Sequence, residues 1–263
     1  MSLARDYLIV DESLPKVTLT LNRPNQLNAL STGMMRELTA TLRHLGEREE
    51  VRVVVIRGAG RAFSAGHDLK EMKDRSLEEE RAIFAVCTEM MQTIQSIPQP
   101  VIAAVHGVAT AAGCQLVATC DLALCTDDAR FATSGIRYGL FCSTPGVAVA
   151  RNIGRKNALY MLLTGRFIDA ATARSWGLVN RAVPASELDV AVDELVAELA
   201  ALSRETLGLG KRGFYQQVEL RQSDAYALMS DAIAANACAP DGQEGIRAFI
   251  DKRAPAWPAP RKS

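Results

Sequence analysis

The chain has 263 residues, of which 48% are hydrophobic and 23% charged. Its 30 basic residues balance 30 acidic ones, which excludes a general nucleic-acid binder, because that class carries a basic excess. No run approaches the ~18 apolar residues of a membrane span, so no membrane partner is expected, and the length suits one large domain or a domain with a small appendage.

The N-terminus, Met1-Ser2-Leu3-Ala4-Arg5-Asp6, lacks the apolar stretch of a signal peptide and carries an early acid. Val17, Leu19 and Leu21 alternate with Thr18, Thr20 and Asn22, the period of a half-buried strand. The turn Asn22-Arg23-Pro24-Asn25 ends it. Leu30, Met34, Leu38, Leu42 and Leu45 recur at helical spacing, with Ser31 as the N-cap. Val53-Val54-Val55-Ile56 is a continuous apolar run, as in a strand covered on both faces. A helix carrying Ile83, Phe84, Met90, Met91, Ile94 and Ile97 is broken by Pro98 and Pro100, and a second buried strand, Val101-Ile102-Ala103-Ala104-Val105, follows. Strands alternating with helices predict right-handed β/α crossovers and an α/β core. From about Pro184 strand signals vanish. Helical patterns then run to Lys252, with Pro255, Pro258 and Pro260 marking a frayed tail. No sequence repeat is visible.

The six cysteines, Cys87, Cys114, Cys120, Cys125, Cys142 and Cys238, form no C-x-x-C pair, and most stand among apolar neighbours. They read as small, buried, reduced side chains. The three histidines, His44, His67 and His106, do not cluster, so no metal site is expected. These features together predict a soluble protein of a reducing compartment, placed in the cytoplasm.

Two loops carry the candidate chemistry. Phe63-Ser64-Ala65-Gly66-His67-Asp68-Leu69 follows the first buried strand, and its small residues let a ligand approach the backbone closely. His106-Gly107-Val108-Ala109-Thr110-Ala111-Ala112-Gly113-Cys114 follows the second and leads into a short apolar helix through Gln115. A helix N-terminus offers free N–H groups and partial positive charge. Two such loops side by side place two N–H donors on one oxygen, the requirement for stabilising an enolate or a tetrahedral oxyanion. The imidazole of His67 reads as an exposed loop side chain with no chemical part of its own.

Several motifs resemble the crotonase (enoyl-CoA hydratase/isomerase) superfamily. Leu21-Asn22-Arg23-Pro24 with Asn28-Ala29-Leu30 resembles its N-terminal signature, and Ala62 through Leu69 its A-F-[SA]-A-G-x-D-[IL] loop. Pro100 through Gly107 matches its P-V-I-A-A-V-x-G strand, and Cys120-Asp121-Leu122 its C-D-[IL] segment. Leu163 through Ile168, Gly177 through Asn180 and Asp241 through Arg253 continue the likeness in the same order to the C-terminus. The resemblance implies a spiral of ββα turns, residues 1–195, that binds acyl-CoA, followed by a helical oligomerisation region, residues 196–263. It implies a trimer or a dimer of trimers, with Leu188, Val192, Leu195, Leu199 and Leu202 read as the apolar stripe of that region. It also implies an acyl-CoA thioester as ligand, held by the backbone N–H groups of His67 and Ala112, with no cofactor beyond the CoA moiety. Contacts to CoA fall on Gln26, Leu27, Ala65, Gly66, Asp68 and Leu69, with Tyr138 bordering the acyl pocket. Phe249 and Lys252 fall where the CoA nucleotide is met, a lysine suiting a phosphate as a point charge.

The departure from the family pattern is as specific as the match. Hydratases carry G-G-G-C-E where this chain has Ala111-Ala112-Gly113-Cys114-Gln115, so the first catalytic glutamate is Gln115. The second, from a [QA]-x-E-[IL] segment, falls on Gly135 within Ala132-Thr133-Ser134-Gly135-Ile136. Glutamine cannot accept a proton from water near neutral pH, and glycine has no side chain. Each positioned acid or base typically contributes ~10²–10⁴-fold, so water addition should be slow. Restoring both glutamates should raise it if the backbone at 135 accepts a side chain. Three classes follow: an enzyme acting on a CoA thioester, nominally a lyase; a non-catalytic acyl-CoA binder or structural member of a mixed oligomer; and an RNA binder, which the absence of a lysine run argues against.

Overall fold

The computed structural model describes residues 6–257. Met1–Arg5 of the leader reading, and Pro258 and Pro260 of the expected tail, lie outside the described residues.

Two sheets organise the chain. The first has six strands: β1 (Leu8–Ser13), β2 (Lys16–Leu21), β3 (Val53–Gly58), β5 (Val101–Val105), β7 (Leu122–Thr126) and β10 (Arg181–Val183), in that spatial order. Only the β1–β2 pair is antiparallel. The second sheet has four short strands: β4 (Ala62–Ser64), β6 (Val108–Thr110), β8 (Arg130–Ala132) and β9 (Ile168–Asp169). Each strand of the first sheet from β3 to β7 is followed by one of the second and then by helix. That repeat exists in the structure and not in the sequence. The three-residue strands β4, β6 and β8 were read as small-residue loops or not read at all, because so few residues cannot display a period.

The helices are α1 (Thr32–Glu47), α2 (Leu69–Met72), α3 (Leu77–Ser96), α4 (Ala112–Thr119), α5 (Ser143–Asn152), α6 (Arg155–Thr164), α7 (Ala170–Trp176), α8 (Leu188–Ala200), α9 (Arg204–Gln217), α10 (Gln222–Cys238) and α11 (Pro240–Ile250). Ser31 caps α1 as expected, its side chain accepting from Met34 N at 3.2 Å. Ser76 and Glu79 form a capping box at α3.

The continuous apolar runs of β3 and β5 have a direct explanation. Val54, Ile56, Ala103 and Val105 enter one core with α1, α3 and the second sheet, while Val53, Val55, Ile102 and Ala104 enter another with Leu188, Val192 and Val196 of α8. With period-2 side chains and both faces covered, every position must be apolar. β2 was read as half-buried, yet Thr18 is buried too, because the strand is interior and flanked by β1 and β3.

This packing corrects the reading of the Leu188–Leu202 stripe. Leu188 and Val192 are buried against the first sheet, with Leu195 and Leu199 packed beside them, so most of the stripe is intramolecular core. The boundary expected at 195 runs through α8. Beyond it, α9 is pinned to the core by Lys211, whose buried Nζ lies 2.6 Å from Asp121 and donates to the carbonyls of Ile94 and Gln99, each at 2.8 Å. Asp121 also accepts from Val101 N at 2.7 Å and from the Tyr215 hydroxyl at 2.8 Å. The aspartate of the C-D-[IL] segment is thus a structural anchor.

Candidate functional site

The first loop is held from behind by the N-terminal signature. Asn28 is fully buried; its Oδ1 accepts from Arg23 N, and its Nδ2 donates to the carbonyls of Ala59 and Ala62. Ser64 Oγ donates to Asn28 O at 2.9 Å. Arg23 reaches Asp68 at 2.9 Å and Ala29 O at 2.8 Å. Asp68 also caps α2 by accepting from Lys70 N. The Asp68 carboxylate is therefore already bonded within the chain. Around Leu30, backbone bonds run from Leu30 N to Gly66 O and from Asp68 N to Leu30 O.

The second loop enters α4 through Ala111, whose φ of 51° and ψ of −120° belong to a region that favours glycine. No side chain caps this helix, so its first N–H groups are left open. The two loops touch. Gly66 has φ +92°, and a Cβ placed on it would lie 2.9 Å from Ala111 Cβ and 3.1 Å from Ala112 N. A Cβ on Gly113 would lie 2.3 Å from Ser64 O. Among the described residues, the bonds that fix the loops leave out the N–H groups of His67 and Ala112.

Over this junction lies a cavity of about 590 Å³. Of the residues singled out from sequence, His67, Ala112, Gly135, Gln26, Ala65, Asp68, Leu69 and Tyr138 line it. Gly66 supports the loop from behind, and Leu27 contributes its carbonyl to Ala65 N at 2.9 Å without reaching the wall. Lys70, Met72 and Phe84, which the sequence did not single out for the site, also face the cavity. Phe84 carried a core signal on an amphipathic helix, and nothing in that signal distinguishes core from pocket wall.

His67 is not the exposed side chain expected. Its ring is half-buried and meets Phe84 edge-on, with centroids 5.2 Å apart and planes at 77°. Nε2 is closed off without a hydrogen-bond partner. Burial holds the imidazole pKa down at about 4, with the Glu71 carboxylate pulling the other way, so the ring is neutral near pH 7.

The two positions that the resemblance aligns with glutamates differ in their surroundings. Gly135 lies at the cavity, but its φ is not in the left-handed region. What bars a side chain is packing: a Cβ there would stand 2.4 Å from Leu140 O and 2.9 Å from Cys142 Sγ. The Cys142 thiol is buried, and burial pushes its pKa up, partly offset by the Gly135 N–H. Gln115 is 5% exposed and lines a second cavity of about 790 Å³ beside the first, its Oε1 unpartnered. Thr144 lines both cavities. Phe249 and Lys252 are not brought to the first cavity. Phe249, 86% exposed, lines an apolar groove between α9, α10 and α11.

Two sheets wound by ββα turns, with two close-packed backbone loops over one cavity, define the crotonase class of fold. The family described as enoyl-CoA hydratase/isomerase matches residues 15–260, and this chain belongs to it. Among curated relatives, the mitochondrial enoyl-CoA hydratase domain-containing protein 3 of Rattus norvegicus is 43% identical over 257 residues, covering 94% of this chain and 86% of the relative. A probable enoyl-CoA hydratase of Mycobacterium bovis is 33% identical, covering 96% of this chain and 98% of that one. The crystal structure of a Mycobacterium smegmatis enoyl-CoA hydratase superposes with a TM-score of 0.94 at 50% identity, covering 96% of this chain and 99% of that one. Human enoyl-CoA hydratase domain-containing protein 3 gives 0.92 at 42% identity, covering 95% and 100%. No helix among the described residues is long and apolar enough to cross a membrane.

Proposed function

We propose that the protein binds an acyl-CoA thioester with the carbonyl oxygen between the backbone N–H groups of His67 and Ala112, and acts on it by stabilising the oxyanion or enolate. The observation that carries this reading is the contact of the two loops, with both N–H groups left out of the bonds that build them. Preorganised donors aimed at developing charge supply the largest single term in many such reactions. The CoA moiety is the only cofactor-like group required.

Water addition is a poor use of this cavity. Gly135 has no room for a carboxylate, Asp68 is tied to Arg23, and Gln115, which lines the second cavity, carries an amide that accepts no proton from water. Crotonyl-CoA hydration is expected at least about 100-fold below that of relatives bearing both glutamates, the lower bound for a lost general acid or base. A steady-state assay beside such a relative tests this, and equal turnover refutes it. The same lack of a free carboxylate favours a second reading, a non-catalytic acyl-CoA binder. Product formation with any member of an acyl-CoA panel excludes that reading.

Assembly as a trimer or dimer of trimers is part of the proposal. Its support is the apolar surface of the C-terminal helices, where Ile233, Ile246, Phe249 and Ile250 are exposed, beyond what a monomer usually leaves in one place. Sedimentation showing a stable monomer at micromolar concentration contradicts it. Residence in a reducing compartment such as the cytoplasm is supported by the six free cysteines, although several relatives are named as mitochondrial.

A further inference from the structure

Resting on the acyl-CoA reading above, we propose that the His67 imidazole determines which acyl groups the cavity accepts, by hydrogen bonding an uncharged oxygen substituent, a hydroxyl or carbonyl, on the acyl chain. The same residue thus serves twice: its main chain for the thioester and its side chain for the acyl group.

The placement follows from the loop. His67 Cα sits at the junction with Ala111 and Ala112, and its ring extends along the cavity wall to Phe84 of α3. Around it the wall is apolar, with Leu140, Phe141 and Pro145 opposite the small residues of the loops. Most buried or half-buried polar side chains facing the cavity are already bonded within the chain. Ser134 Oγ pairs with Thr110 Oγ1 at 2.8 Å, Asp68 holds Arg23, and Cys142 Sγ accepts from Gly135 N at 3.3 Å. His67 is different. Nε2 is shut off without a partner, and neither ring nitrogen hydrogen-bonds any group of the chain among the described residues.

Nε2 is closed to a ligand, whereas Nδ1 is not closed off and has no partner, so a ligand in the cavity meets Nδ1. Neutral imidazole offers one donor and one acceptor. A hydroxyl matches Nδ1 in either tautomer, and a carbonyl matches it when it carries the proton. An acyl carboxylate is a poor match, because the half-buried ring is held neutral and the cavity's cation, Lys70, is exposed.

The test is calorimetric titration with butyryl-CoA, 3-hydroxybutyryl-CoA, succinyl-CoA and CoA, on the wild type, His67→Phe and His67→Gln. The wild type is expected to bind 3-hydroxybutyryl-CoA about five- to tenfold more tightly than butyryl-CoA, the size of one net neutral hydrogen bond. His67→Phe should erase that preference, and His67→Gln should restore part of it. Equal wild-type affinity for the two esters overturns the proposal. So does a preference that persists in His67→Phe, or tighter binding of succinyl-CoA than of 3-hydroxybutyryl-CoA. If His67→Phe does not fold, His67→Ala takes its place with the same expected loss of preference. If no ester binds more tightly than CoA, the acyl-CoA site itself is refuted, and this inference with it.

Discussion

The Gly135 N–H donates to Cys142 Sγ across 3.3 Å, and that contact closes the 135–142 loop at the edge of the cavity. Leu140 N also returns to Gly135 O at 3.0 Å. The space beside Gly135 is thus filled by its own loop.

It follows that Gly135→Glu will not rescue hydration. Its Cβ would press on the Leu140 carbonyl at 2.4 Å, a backbone atom that cannot swing aside. Overpacking of this kind costs about 1–3 kcal/mol. Urea denaturation is expected to show that loss for Gly135→Ala and Gly135→Glu alike, with no gain in crotonyl-CoA turnover. A Gly135→Glu protein as stable as the wild type and faster in hydration would show that the loop yields.

Gly66→Val should abolish thioester binding. The position combines φ +92° with a neighbour, Ala112 N, 3.1 Å from any Cβ. A β-branched side chain there is strained and pushes apart the loops that carry the two donors. Titration with butyryl-CoA should show no saturable binding in a protein that still gives native circular dichroism. Wild-type affinity in that variant would separate the loop contact from ligand binding.

Lys211 and Asp121 form a buried pair at 2.6 Å, with side-chain exposures of 8% and 14%. Removing one partner of such a pair leaves an uncompensated buried charge and costs about 3–5 kcal/mol. Lys211→Met is therefore expected to be far more damaging than Lys16→Met, whose partner Asp193 is 61% exposed. Chemical denaturation of the two variants checks the ordering. Equal, small losses would mean that α9 does not depend on this anchor.

Acid should weaken the fold in part through His67. Its folded pKa of about 4 lies below the ordinary 6.5, so between these values the unfolded chain binds more protons than the native one. Stability then rises with pH across that window, and the contribution lost on acidification is complete below about pH 4. His67→Phe should show a shallower loss from pH 6.5 to 4 than the wild type. In NMR, the His67 ring protons should stay at their neutral positions down to pH 5. A midpoint near 6.5 would place the ring in water.

Much of this was legible in the sequence. The strands at 53–58 and 101–105, the capped helix after Ser31 and the helical C-terminal third follow from period and caps alone. The two loops were legible through small residues and the family likeness. What escaped was whatever depends on partners far along the chain. α8 carried an apolar stripe that suits a subunit interface and the underside of a sheet equally well, and only tertiary packing decides for the sheet. Gln115 sits one turn from Ala112, but the cavity it lines is completed by residues of α3, α5 and α9, which no local signal brings together. The burial of His67 requires Phe84 from another element. The obstruction at Gly135 arises from the carbonyl of Leu140, five residues on, in a turn that no local signal announced.

The central claim is that the backbone N–H groups of His67 and Ala112 together hold a thioester carbonyl. A crystal structure of the protein with butyryl-CoA tests it most directly. The account predicts the thioester oxygen within hydrogen-bond distance of both nitrogens, about 2.7–3.2 Å, with the acyl chain lying along His67 and Phe84. A well-ordered ligand whose carbonyl points away from both N–H groups would contradict it.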